Sequence, residues 1–212
     1  MGLLFAPQNL RRRIGRAMPR NMHTIEPFFR WRDYYIADED KLSPFYRRTY
    51  SEFEFDKKVY NYYIHPQWDS IGSETLYVKI LYANYKQDFA IIELLGEWND
   101  CLANDIMLLK RRVVDRMVAQ GISKFLLIGE NILNFHYSDD CYYQEWYEEA
   151  ADADGWVVAL NLRPHVRQEM QAANLHYYIH ISEKYDHIAW RQYKPLHLLQ
   201  LIEGMLYEKL LC

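Results

Sequence analysis

FAIIELL at 89–95, KFLLIGE at 124–130 and WVVALNL at 156–162 decide the fold class of this chain. Each is a short apolar run rich in β-formers. A strand buried on both faces reads as a near-continuous apolar run instead of an alternating one. Between the first two runs lies a helical pattern. It is capped by Asn99 or Asp100, carries an apolar stripe of Ile106, Leu109, Val113 and Met117, and is closed by Gly121. Strands that alternate with helices make a parallel sheet with crossover connections. Ahead of the first run, TLYVKILY (75–82) is another strand, and the turn from Asn84 to Asp88 joins the two as a hairpin.

Working outward, Gly96 is expected to end the second strand, and NILNFHYS (131–138) is expected to be a polar loop. Asp139 and Asp140 sit where the next helix starts, a position that favours acids, and that helix carries Tyr143, Trp146 and Tyr147. Pro164 opens a helix through Met170, and Asn174 caps it. YYIHI (177–181) is expected to be a final strand, residues 183–193 a polar connection, and Pro195 the start of a last helix with Leu198, Leu199, Leu201, Ile202, Met205 and Leu206. The expected order is ββαβαβαβα. Four parts follow: a basic leader (1–22), expected to be disordered or ordered by a partner; an irregular aromatic extension that wraps the domain (23–74); the α/β domain (75–182); and a connection with the C-terminal helix (183–212). Within the extension, SEFEF (51–55) is expected to be a short edge strand, and Pro27, Pro44 and Pro66 discourage long helices.

Composition excludes several classes. No apolar run approaches the roughly 20 residues that span a bilayer, so no transmembrane segment is expected. Three cysteines, Cys101, Cys141 and Cys212, form neither a disulfide framework nor a zinc motif, which fits a cytoplasmic chain. Residues 1–22 hold five arginines and no acid, so the other 190 residues carry 20 basic and 29 acidic side chains, a net −9. An acidic body argues against nucleic-acid binding. The leader itself is read four ways: disordered or partner-ordered tail, targeting peptide, nucleic-acid arm, or the product of a start codon upstream of Met22. The 19 tyrosines are spread along the whole chain and are read first as an amphipathic outer layer of the core.

The string FAIIELLGEWND, the long helix, GISKFLLIG and DGWVVALNLRPHVRQEMQAANLHYYIHI together resemble the STAS domain of sulphate transporters and anti-sigma factor antagonists. The most telling stretch is 155–181, and Gly96-Glu97 is similar to the glycine and acidic residue that end the family's early strand. The resemblance covers about half the chain. It implies an α/β fold with a mixed sheet of four to five strands and crossover helices. It also implies protein partners; some members bind nucleotides or lipids. In the antagonists a serine at the start of the helix after the central strand is phosphorylated. Here the family's Asp-Ser-Ser/Thr-Gly pattern is absent, and the loop reads NFHYSDDCYY. Ser138 is the nearest candidate phosphosite, with Asp139 and Asp140 set to repel a phosphate; its plain alternative is helix N-cap.

Residues 130–141 lie at the carboxyl end of a central strand, where open α/β sheets bind ligands. Asn134, His136, Ser138, Asp139 and Asp140 are therefore the candidate surface, with Glu97 and Trp98 on the same rim. His136 is a candidate base or metal ligand, yet no third ligand has the right spacing, and Cys141 at a helix start faces away from the loop. No catalytic set, metal site or cofactor is expected. The helix DDCYYQEWYEEAA (139–151), with Tyr143 and Trp146, is either a solvated acidic face over a buried stripe or a docking surface for a basic partner. The sequence reading is thus a non-enzymatic STAS-like interaction or regulatory module with a protein partner or a homo-oligomer. Its rivals are a ligand-binding protein or enzyme using 130–141, and a subunit of a larger assembly held by the leader.

Overall fold

The hairpin forms where the β-rich runs place it, and the main sheet grows from it in chain order. The structure, a computed structural model, describes residues 24–51, 55 and 57–207. A small sheet of β1 (Thr24–Ile25), β2 (Lys58–Val59) and β3 (Tyr62–Ile64) is ordered β1-β3-β2. The main sheet is β4 (Asp69–Ser70), β5 (Leu76–Asn84), β6 (Phe89–Asn99), β7 (Lys124–His136) and β8 (Trp156–Leu160), in that order. The pairs β4/β5 and β5/β6 are antiparallel; β6/β7 and β7/β8 are parallel. The fold is mixed α/β. At the hairpin turn, the Asn84 side-chain oxygen accepts the N–H of Lys86 and of Gln87, and Asp88 takes the left-handed backbone.

The crossover from β6 to β7 consists of α1 (Asp105–Leu109), a π-helical turn (Lys110–Val114) and α2 (Asp115–Val118), each running on from the last. Its stripe of Ile106, Leu109, Val113 and Met117 is buried. α3 (Cys141–Ala151) crosses from β7 to β8; α4 (Pro164–Ala172) and α5 (Pro195–Tyr207) follow. Pro164 stands in the first turn of α4, and Asn174 beyond its end takes the left-handed conformation.

Each face of the sheet has its own core. On one face Val78, Ile92, Phe125 and Leu127 pack against the crossover helices and α4. On the other, Leu81, Phe89, Ile91, Leu126 and Val158 pack against Trp31, Tyr185, Trp190 and the Leu198, Leu199 and Ile202 side of α5. This explains why the strands read as continuous apolar runs: neither face meets water. The stretch at 24–50 is a strap. Its first part lies over this second face, led by a cluster of Phe28, Trp31 and Trp190 rings whose centroids are 4.9–5.4 Å apart, and further along Ala37 and Phe45 pack into the core of the first face.

Several sequence expectations need correction. β6 does not end at Gly96 but runs on to Asn99. Gly96, at φ +119°, marks a shift in pairing with β7, and a Cβ there would lie 1.9 Å from the Thr75 carbonyl oxygen, so glycine lets the strand continue through a bulge. The helix begins at Asp105, after Asn104 in left-handed backbone, instead of near Asn99. Asp100 still serves it at a distance, because its Oδ1 accepts the Ile106 N–H at 2.9 Å. Residues 131–136 are strand, not loop: β7 keeps pairing with the extended β6 as far as His136. The fifth strand of the main sheet is β4, at the opposite edge from 177–181. Residues 175–177 form a 3-10 turn, and only His180 bridges to Val158. The connection 183–193 contains two 3-10 turns that bury Tyr185 and Trp190. The middle of SEFEF (52–54), the leader and Cys212 lie outside the described residues.

Candidate functional site

The extra length of β6 and β7 builds the rim that the sequence points to. Their last pairs are Glu97 with Asn134, Trp98 with Phe135, and Asn99 with His136. Alternation along the strands then sorts the side chains. On the outer side, His136 Nε2 lies 2.8 Å from Glu97 Oε1, and Tyr60 donates its hydroxyl to Glu97 Oε2 at 3.0 Å. Asn134 Nδ2 donates to the Tyr60 oxygen at 2.7 Å, and Asn99 Nδ2 donates to Glu97 Oε1 at 3.3 Å. The His136 side chain is 48% exposed, so the cluster is open to water. Beside it, Leu102 is 89% exposed and Tyr137 is exposed too; the Cys101 thiol donates to the Tyr137 carbonyl and ties the two loops together.

On the inner side the same rim is core. Trp98 stacks on Tyr143, with ring centroids 6.1 Å apart, and both are buried, as is Trp146. These three residues are part of the packing and do not form the exposed ligand or partner surface expected for them. The polar centre of that packing is Asp100. Its carboxylate accepts from Tyr143 Oη at 2.6 Å, from Trp98 Nε1 at 3.1 Å and from the Ile106 N–H. Burial pushes the Asp100 carboxyl up to about 6, against the lowering effect of those three donors.

The other expected site residues are dispersed. Asp139 turns to its own helix start, where its carboxylate accepts the Cys141 N–H at 3.2 Å and the Cys141 thiol at 2.7 Å. Asp140 accepts the Tyr178 hydroxyl at 2.9 Å. Ser138 is exposed and is not the N-cap; Asp140 holds that position without a side-chain bond. The acidic face of α3 is largely turned inward on the protein itself. Glu145 and Glu149 receive the buried Lys110 ammonium at 3.3 and 2.8 Å, Asp115 completes the enclosure, and Arg111 forms a fork with Glu145. Asp115, Glu145 and Glu149 have the spacing of a metal site, but Lys110 already supplies the cation.

A second row of charges lies under the strap, and sequence reasoning missed it. Lys79 on β5 stands directly opposite Glu93 on β6. Glu93 is fully buried. It accepts the Phe28 N–H at 2.9 Å and Asn131 Nδ2 at 3.3 Å, and it lies 3.8 Å from Arg191. Arg191 in turn grips Glu130, which also accepts the Trp190 indole N–H at 3.3 Å. Burial pushes Glu93 up to about 7, with the Phe28 N–H and Arg191 only partly opposing it. At the far end, Lys79 lies 3.3 Å from the buried Asp69. The sequence did carry a signal: a single acid in FAIIELL and a single lysine in TLYVKILY, each in a run that otherwise reads as core.

No family model matches this chain, and no curated protein matches it. The assignment of the site therefore rests on its geometry. A cavity of about 430 Å3 is lined by strap residues and by Lys79 to Leu81, not by Glu97, His136 or Asp139. No helix among the described residues is long and apolar enough to cross a membrane.

Proposed function

We propose that this chain is a non-enzymatic, STAS-like interaction or regulatory module. Its protein partner would dock on the rim formed by the ends of β6 and β7 and the start of α3. One observation carries the reading: an exposed leucine and tyrosine, Leu102 and Tyr137, sit beside an open polar cluster of Glu97, His136, Tyr60 and Asn134. Apolar side chains ringed by polar ones are the anatomy of a protein interface. A cytoplasmic setting goes with this role. Ser138, exposed on the same rim, is the residue whose phosphorylation would modulate docking, by setting a dianion beside Asp139 and Asp140.

Native pull-down with mass spectrometry tests the reading. A specific protein should be captured by the wild type. Leu102→Asp should lose that protein by about tenfold or more, as expected for a central interface residue. His136→Ala should change capture by about twofold or less, because a solvent-exposed polar pair at a rim contributes little. Recovery of the protein alone with a bound small molecule would sink the proposal. One observation favours the rival ligand-binding or enzymatic use of 130–141: Glu97 fixes one nitrogen of His136, as a carboxylate does for a catalytic base. Under that reading His136→Ala would be the damaging substitution and Leu102→Asp the mild one.

A further inference from the structure

The cavity beneath the strap is a built site with opposing characters. Trp31, Tyr35 and Leu81 supply apolar wall, while Arg32, Arg48 and Lys79 bring three cations to a space of about 430 Å3, within the usual range for small-molecule sites. Lys79 is mostly buried, and its ammonium stands 4.0 Å over the Tyr50 ring. One carboxylate at its back, Asp69, is shared. It accepts from Tyr50 Oη at 2.7 Å and from Lys79 at 3.3 Å, and Arg48 lies 3.4 Å away. Arg48 also donates twice to the Ser70 carbonyl oxygen. Arg32 gives a single N–H to Gln67 at 3.2 Å. Asp38 and Glu39 also line the space, so it is mixed in charge, but the most buried charge on its floor is the ammonium. Burial lowers the Lys79 pKa; Asp69 and Asp38 oppose that, and the Arg32 charge adds to the lowering. Two cations that repel each other across a cavity are relieved by an anion placed between them.

We propose that this cavity binds a small organic carboxylate with an aromatic or branched apolar body, its carboxylate between Lys79 and Arg32 and its body against Trp31 and Tyr35. A planar carboxylate matches the guanidinium fork, and the apolar walls reward a body that inorganic anions lack. The site is independent of the rim and stands or falls apart from the docking role.

Titration calorimetry and amide-shift mapping on the full chain test it, with benzoate, phenylacetate and naphthoate as probes and their amides and inorganic phosphate as controls. At least one carboxylate should bind and move the Lys79 amide and Trp31 indole signals. Its amide should bind about tenfold more weakly or not at all, and so should phosphate. Arg32→Gln, at an exposed position that leaves the fold intact, should weaken the carboxylate by about tenfold. Lys79→Gln, if it folds by circular dichroism, should abolish binding; if it does not fold, Arg32→Gln decides. The inference is overturned if no carboxylate binds, if amide or phosphate binds as tightly, if Arg32→Gln changes nothing, or if the shifts map elsewhere.

Discussion

Glu93→Gln is expected to stabilise the protein at pH 8 and to flatten its stability between pH 4.5 and 7. The carboxyl is fully buried, and burial moves it from an ordinary 4.5 up to about 7. Below pH 4.5 the group is protonated in both folded and unfolded chains, so the fold keeps its full contribution there. Between 4.5 and 7 the unfolded chain releases the proton while the folded one holds it, and stability falls as pH rises. The difference corresponds to roughly 3 kcal/mol. Glutamine imitates the protonated form. It can still accept the Phe28 N–H, the Asn131 amide can turn to meet it, and Arg191 keeps Glu130. A net gain of about 2 kcal/mol at pH 8, or several degrees in Tm, is expected. Asp100, also pushed up, adds a slope of the same sign to both proteins, so the difference between them isolates Glu93. Thermal melts at pH 5, 6, 7 and 8 are the measurement. A variant less stable than wild type at pH 8 would show instead that Glu93 is charged and held by Arg191.

Lys110→Met is expected to destabilise the protein by roughly 3 kcal/mol, with partial rescue by millimolar calcium. The Lys110 side chain has no exposed surface and is enclosed by Asp115, Glu145 and Glu149. Burial alone would lower its pKa, but the hydrogen bonds to Asp115 and Glu149 outweigh burial and hold it above the ordinary value. Its contribution is therefore lost on the alkaline side as pH rises beyond about 10.5, and on the acid side as Asp115 and Glu145, both held below their ordinary range by Lys110 and Arg111, take up protons. Methionine keeps the stem volume and removes the charge, leaving three carboxylates within 4.8 Å of one another and only Arg111 to balance them. Those carboxylates are each about one-third exposed, so water screens part of the repulsion and the loss falls at the low end for a broken buried pair. Melts of variant and wild type with and without calcium measure both effects. Calcium should raise the variant's Tm and leave the wild type unchanged. A loss below about 1 kcal/mol would mean that the enclosure is solvated in the native protein.

How much of this was legible in the sequence depends on the range of the interaction. The hairpin, the helix stripe through Ile106 to Met117 and the Pro164 helix follow from neighbours within a turn or a strand, and all three are in the structure. YYIHI reads as strand by composition, but its backbone finds a single bridge to Val158, because strand formation needs a partner along its length. NILNFH reads as loop by composition. It is strand because Gly96 lets β6 continue beside it.

By itself the sequence determined the α/β class and the two-faced burial of the sheet, both of which are written in local pattern. It pointed to Glu97 and His136, but the strand pairing that sets them side by side came from the extension of β6 and β7. Only the tertiary structure decided which charges are buried and what they face. Glu93 faces the Phe28 N–H and Arg191, Lys79 faces Asp69, Lys110 meets Glu145 and Glu149 through helix packing, and the cavity exists because a strap some 30 to 50 residues away in sequence crosses Lys79. Periodicity reports the face on which a side chain lies. It carries no information about the distant group that shares that face, and for a buried charge that group sets the energy.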